Sequence, residues 1–238
     1  IVGEEYGEKE GSEAAFRWFI DPIDGTKSFI HGVPLYSVLI GLAIEGEVKV
    51  GAAYFPALDE MLAAASGLGC WWNGRRARVS AVSRLAEAVV TFTDPASFAR
   101  YGRAAEWERI QKACYYRAGW SDAYGYMLVA TGRAELMLDA AMHVWDCGPF
   151  PPIFSEAGGF FGDWQGNPTI YQPWRMKEVL DHITGWDDAV IASIKSFLAG
   201  EVPATPASRG IDAYNAETVT SREAIPYELT QKEWETSR

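Results

Sequence analysis

The segment Asp21-Pro22-Ile23-Asp24-Gly25-Thr26 gathers residue types that can do chemistry. Two carboxylates stand three positions apart with a proline between them, just after the apolar run Phe16-Arg17-Trp18-Phe19-Ile20. That run reads as a buried strand stopping at Asp21-Pro22. Pro22 fixes its own φ and biases Asp21 toward an extended backbone, so the turn is stiff. A stiff turn can aim both carboxylates, and the Ile23 carbonyl between them, at one point. Hard divalent cations such as Mg2+ take oxygen donors of this kind. Gly25 permits close backbone approach, and Thr26 sets a hydroxyl at the mouth of a helix or loop whose N–H groups suit a phosphate oxygen. Taken alone, the same residues also describe an ordinary Asp-Pro turn with a capping aspartate.

Two further pieces change the weight of that motif. Upstream, Gly3-Glu4-Glu5 supplies carboxylates beside a glycine, which by itself is also a solvated acidic loop. Downstream, Trp145-Asp146 opens a helical pattern that closes at Glu156-Ala157-Gly158-Gly159; alone, Asp146 is also a plain N-cap. Together, Glu4, Asp21, Asp24 and Asp146 can surround two or three metal ions. Four converging acids with no lysine or arginine among them repel one another unless a cation sits between them.

The set GEEYG, WFIDPIDGTKSF and WD…EAGG, in that order, resembles the inositol monophosphatase family of Mg2+-dependent, lithium-sensitive phosphomonoesterases, over roughly residues 1–170. The resemblance implies an α/β fold, a layered αβαβα sandwich. It implies metal ligation by Glu4, Asp21, the Ile23 carbonyl, Asp24 and Asp146. It also implies catalysis in which Asp24 works with the metal while Thr26 and Glu4 orient and deprotonate a water for in-line attack on phosphorus, with no covalent phosphoenzyme. Gly25, Thr26 and Asp146 fall where the family touches its substrate. Trp120, Ser121 and Asp122 fall where inositol-specific relatives place small residues against the sugar ring, and Asp139 where they place a substrate-binding glutamate.

Within the family, DPIDGTKSFIHGVPLY (21–36), GWSDAYGYMLVATGRAELMLD (119–139) and GGFFGDWQGNPTIY (158–171) are most similar to the histidinol-phosphatase branch. That branch implies L-histidinol phosphate as the small phosphomonoester substrate. An aspartate at position 122 facing its ammonium group would make a charge-assisted hydrogen bond that a neutral polyol cannot; the same residue also reads as the N-cap of the next helix. The alternatives are an inositol-1-monophosphatase or broad sugar-phosphate phosphatase of the same fold, and a catalytically inactive metal-binding protein. His143 reads as a packing or capping residue rather than a general acid, and Lys27 as a phosphate contact or a solvated lysine. Cys147-Gly148-Pro149, Pro151-Pro152 and the segment 173–186 depart from the family pattern.

The elements that must carry these residues follow from periodicity. Residues 35–45 and 48–55 flank Gly46-Glu47 as a β-hairpin. Strands are expected at 60–65 and near 88–93, and at 134–138 ending at Asp139. Helices are expected over 96–112, capped by Asp94-Pro95, and over 121–131, with Ser121 or Asp122 as N-cap and Gly132 as stop. Two more fit 145–157 and 187–198.

Composition bounds the rest. The 238 residues are 48% hydrophobic and carry 21 basic against 32 acidic side chains, a net −11. Such acidity argues against nucleic acid as a partner. No apolar run is long enough for a membrane span. Three cysteines without CxxC spacing suggest neither a disulfide framework nor a zinc site, and a cytoplasmic location is the default. Relatives are commonly dimers, so a homodimer is the assembly that the resemblance suggests. The chain opens on Ile1-Val2-Gly3 without a methionine, whereas family members begin earlier with two helices, so a missing amino terminus is expected. Residues 1–199 read as one phosphatase domain, and 200–238, rich in Pro, Ser and Thr, as a disordered tail.

Overall fold

The computed structural model describes residues 1–5, 7–8, 15–164 and 180–184. Alternating apolar residues from Phe16 onward build an eight-stranded sheet in the order β2-β1-β3-β4-β5-β6-β7-β8. Its strands are β1 (Val2–Gly3), β2 (Gly7–Glu8), β3 (Phe16–Asp24), β4 (Ser37–Ile44), β5 (Glu47–Phe55), β6 (Glu60–Ala65), β7 (Gly69–Trp72) and β8 (Arg75–Arg76). Helix α1 (Thr26–Ile30) lies between β3 and β4. All neighbours pair antiparallel except β1 and β3, which run parallel. The β4–β5 hairpin turns at Glu45 and Gly46, one residue earlier than expected. Both have positive φ (53° and 86°), the combination that matches the twist of the flanking strands.

A second sheet has the order β10-β9-β11-β13-β12. It is formed by β9 (Val89–Phe92), β10 (Tyr116–Ala118), β11 (Leu136–Met142), β12 (Phe161–Gly162) and β13 (Leu180–Thr184). Between the sheets lie α4 (Asp122–Ala130), α5 (Val144–Cys147) and α6 (Phe150–Ala157); α2 (Pro95–Arg100) and α3 (Ala104–Ala113) cover the far face of the second sheet. Leu39, Phe55 and Leu62 of the first sheet bury against Tyr126 and Met127 of α4 and Phe150 and Phe154 of α6. On β11, Met137 points into this core while Leu136 and Leu138 point the other way, against Phe98, Trp107 and Ile110. The described layers are thus β, α, β, α, four successive layers of the expected αβαβα sandwich. Cys70, Cys114 and Cys147 are buried, and none of them is in a disulfide. Among the described residues no helix is long and apolar enough to cross a membrane.

Three expected elements are corrected. The helix expected over 96–112 is two helices, because Gly102 takes φ 75° between α2 and α3. The helix expected over 145–157 is broken between Cys147 and Phe150, where Gly148 and Pro149 lie flat against the first sheet. The strand expected to end at Asp139 continues to Met142. The expected helix 187–198 and tail 200–238 lie outside the described residues, as does all of the divergent segment 173–186 except 180–184.

The break at Gly148-Pro149 has a packing reason. A Cβ on Gly41 would lie 2.5 Å from the Gly148 backbone, and one on Gly51 only 1.9 Å from the Pro149 carbonyl oxygen. Backbone sits on backbone here, and neither side can yield. Gly51→Ala is therefore expected to destabilise the fold by about 3 kcal/mol, the upper end for overpacking, lowering Tm by roughly 6–12 °C. A calorimetric scan checks it; a Tm unchanged from the parent would refute the contact.

Candidate metal centre and cleft

The two aspartates of the central motif reach one face of β3 through a bulge. Asp21 pairs opposite Leu39 and Asp24 opposite Ser37, so one strand spends three steps where its partner spends two. The strand therefore does not stop at Asp21-Pro22 as expected. It runs on to Asp24, since Pro22 has no N–H to leave unpaired and the extra residue is absorbed locally. The Ile23 N–H donates to the Asp21 carboxylate (3.0 Å), and the Ser37 hydroxyl and the Ala123 N–H donate to that of Asp24 (3.0 and 3.1 Å). Asp24 thereby caps α4 from a distant strand.

Asp146 arrives from α5. The His143 N–H donates to its carboxylate at 2.8 Å, and the His143 ring stacks on Trp145 (4.7 Å, 12°), so His143 packs and caps. One carboxylate oxygen from each of Asp21, Asp24 and Asp146 lies within 4.8 Å of the others. Glu4 follows β1, whose register sets Val2 beside Phe19 and Gly3 beside Ile20; the next step puts Glu4 beside Asp21. It is exposed and stands outside the three-carboxylate group, yet close enough to repel both Asp21 and Asp146.

Among the described residues, burial and neighbouring carboxylates dominate the electrostatics of the three acids. Burial, then repulsion by Asp146 and Glu4, pushes Asp21 up to about 8. Asp24 rises to about 8 through burial and its neighbours Asp122 and Asp21, and Asp146 to about 8 through burial and Asp24. Carboxylates held this way bind protons or a cation near neutral pH. An all-oxygen donor set that repels itself fits Mg2+.

Beside the three acids opens a cleft of about 200 Å³. Among the described residues, Asp24, Asp94, Asp122, Asp139 and Asp146 line it, against two cations, Lys27 and Arg100. Gly25 takes φ 75°, and a Cβ there would lie 2.9 Å from the Asp122 carboxylate, so glycine is required twice over. The Thr26 hydroxyl donates to the Ile23 carbonyl (3.3 Å) at the start of α1.

Asp122 does not cap α4, and neither does the Ser121 side chain. The Asp122 carboxylate instead accepts from the buried Ser28 hydroxyl at 2.7 Å. Burial raises its pKa, while Ser28 and Lys27 oppose the rise. Asp139 lines the cleft too, yet it accepts from the Tyr126 hydroxyl (2.9 Å) and from Thr93, and burial lifts it to about 6. Ser121 is buried, its hydroxyl turned to the Ala118 carbonyl, and Trp120 is exposed; neither lines the cleft. Sequence reasoning passed over Ser28, Ser37, Thr93 and Tyr126, which hold these carboxylates in place. Only Ser28, inside the motif and one helical turn past Asp24, carried a local signal.

A sequence model of the inositol monophosphatase family matches residues 1–195. The histidinol-phosphatase of Chlorobaculum parvum is 42% identical over 170 residues, 71% of this chain and 65% of that protein. The inositol-1-monophosphatase of Mesorhizobium japonicum is 33% identical over 170 residues, 68% of this chain and 62% of that protein. The chain thus spans somewhat less than two thirds of the length of these two relatives. The crystal structure of the extragenic suppressor protein suhB from Bartonella henselae superposes with a TM-score of 0.75 at 29% identity, covering 84% of this chain and 77% of that one. With a family match over most of its length and a fold shared with that solved structure, the chain belongs to the inositol monophosphatase family.

Proposed function

We propose that this chain carries the active site of a Mg2+-dependent phosphomonoesterase that hydrolyses L-histidinol phosphate to L-histidinol and inorganic phosphate. The observation that carries the reading is the Asp122 carboxylate, half-buried in the cleft that adjoins Asp21, Asp24 and Asp146. The similarity to histidinol-phosphatases of Chlorobaculum parvum and, at 33%, Mycobacterium tuberculosis supports it.

Asp21, Asp24 and Asp146, with the Ile23 carbonyl and Glu4, would hold the cations. Bound there, Mg2+ supplies neutralisation of the phosphoryl charge and acidifies water. The chain's own groups do the rest. Gly25 and the first amides of α1 receive a phosphoryl oxygen. The Thr26 hydroxyl, whose proton points at the Ile23 carbonyl, turns its lone pairs outward to orient the attacking water. Glu4, exposed beside Asp21, takes that water's proton, and the departing alkoxide is protonated by solvent. Asp122 receives the substrate ammonium, a partner that a polyol phosphate lacks.

The test is phosphate release from L-histidinol phosphate, inositol 1-phosphate and glycerol 2-phosphate, with Mg2+ and with EDTA, by parent and Asp122→Asn. The amide keeps an acceptor for Ser28 while losing the charge, which separates recognition from folding. Asp122→Asn is expected to lower kcat/KM for L-histidinol phosphate about tenfold or more relative to the other two substrates. An unchanged ratio would return Asp122 to a structural role and favour a broad sugar-phosphate phosphatase.

A further inference from the structure

Beside the cleft stands an aromatic corner that the chemistry above does not use. Trp120 is 47% exposed, and its backbone takes φ 60°, in the left-handed region that a bulky residue rarely enters. Two residues on, Asp122 is also left-handed, at φ 43°. The segment is nevertheless pinned. The Trp120 N–H donates to the Thr93 carbonyl (3.1 Å) and the Ser121 N–H to that of Phe92 (3.3 Å). Gly119 must be small, because a Cβ there would meet the Phe92 ring at 2.8 Å. Strain of this kind persists where the surroundings over-determine it, and it gathers at ligand-binding sites.

The second half of the corner comes from a segment distant in sequence. His31 meets the Trp120 ring edge-on, with centroids 6.1 Å apart and planes at 73°. The imidazole is held in place, since its Nδ1 lies 2.8 Å from the Lys27 carbonyl at the end of α1. Both partners adjoin cleft-lining residues: His31 is one helical turn past Lys27, and Trp120 rests on Thr93 two residues before Asp122. Trp120 and His31 lie outside the cleft lining itself, and these links set an exposed indole and a held imidazole next to its Lys27 and Asp122 edge. A flat ring that can carry positive charge fits that combination, through stacking or a cation–π contact on Trp120 and charge pairing with Asp122.

We propose that Trp120 and His31 together form a specificity-determining wall for phosphomonoesters whose non-phosphate end is a planar nitrogen heterocycle. This rests on the proposed phosphatase reading and narrows it to ring-bearing alcohols. The test compares parent, Trp120→Leu, Trp120→Phe and His31→Ala with Mg2+ on L-histidinol phosphate, phenyl phosphate and glycerol 2-phosphate, with a melting curve for each protein. Trp120→Leu and His31→Ala are expected to lower the ratio of kcat/KM for L-histidinol phosphate over glycerol 2-phosphate by about five- to thirtyfold. The loss should lie in KM rather than kcat, and phenyl phosphate should move the same way by less. Trp120→Phe should recover most of it. Unchanged ratios for both ring-bearing substrates, or equal losses on all three, would overturn the proposal. If the parent releases phosphate from phenyl and glycerol phosphates but not from L-histidinol phosphate, the proposed substrate fails while the phenyl-to-glycerol ratio still tests the wall.

Discussion

Asp24→Asn is expected to reduce phosphate release by at least about a thousandfold and, in EDTA at pH 8, to melt above the parent. The two effects have one cause. Asp24 is pushed up to about 8 by burial and by Asp122 and Asp21, so its charge is strained whenever no cation is bound. An asparagine keeps an acceptor for the Ala123 N–H and a partner for Ser37 while removing that charge. The metal-free fold is relieved, by more than about 3 °C or roughly 1 kcal/mol at this size. Losing an anionic metal ligand removes several kcal/mol of charge stabilisation in the transition state, and each 1.36 kcal/mol is about tenfold in rate. Asp21→Asn should behave alike, its amide oxygen still accepting from Ile23. Either variant turning over at the parental rate would sink the proposed site, and a fall in metal-free Tm would sink the electrostatic account.

The same acids set the pH dependence of stability. In the unfolded chain Asp21, Asp24 and Asp146 titrate near 3.8; in the metal-free fold they are raised to about 8. Between those values the folded state holds protons that the unfolded state has released, so stability falls as pH rises through the window. In EDTA the Tm should drop steadily from pH 5.5 to 8. Excess Mg2+ takes the place of the protons, so the Tm gained on adding it should be several-fold larger at pH 8 than at pH 5.5. Thermal scans at four pH values, with EDTA and with Mg2+, check this. A Mg2+ gain independent of pH would mean that the cation binds elsewhere.

What could be read from the sequence follows from how local each feature is. The Asp21–Thr26 motif is a contiguous stretch whose proline and glycine restrict it in isolation, and the hairpin after it alternates cleanly. Gly102 and Gly148-Pro149 were visible as residues but not as breaks, because apolar periodicity continues across both, and only the close approach of Gly41 and Gly51 shows why the chain must pause at the second. The partners of the acids come from far away in the chain: Ser37 and Ala123 on Asp24, Ser28 on Asp122, Tyr126 on Asp139. Asp122 misled in a physical way. Its type and place suit an N-cap, yet a left-handed backbone goes with a carboxylate bonded to Ser28, and the Ala123 N–H, which a Ser121 cap would have taken, goes to Asp24 instead.

The bulge in β3 makes the acid pair a matter of parity. Along a pleated strand an odd separation sends two side chains to opposite faces, and Asp21 and Asp24 are three apart; the extra residue turns that odd count into an even one. If pairing instead stayed regular from Asp21 onward, Asp24 would face outward and everything after it would slip by one position. No intermediate register exists, so the acids share a face or they do not. A misfolded population at this point would keep its sheet, with a native-like far-UV spectrum, yet gain no thermal protection from Mg2+. With Mg2+ held at the proposed site, the fraction of molecules that it protects would count correctly registered strands, a proofreading signal that measurements of secondary structure alone would miss.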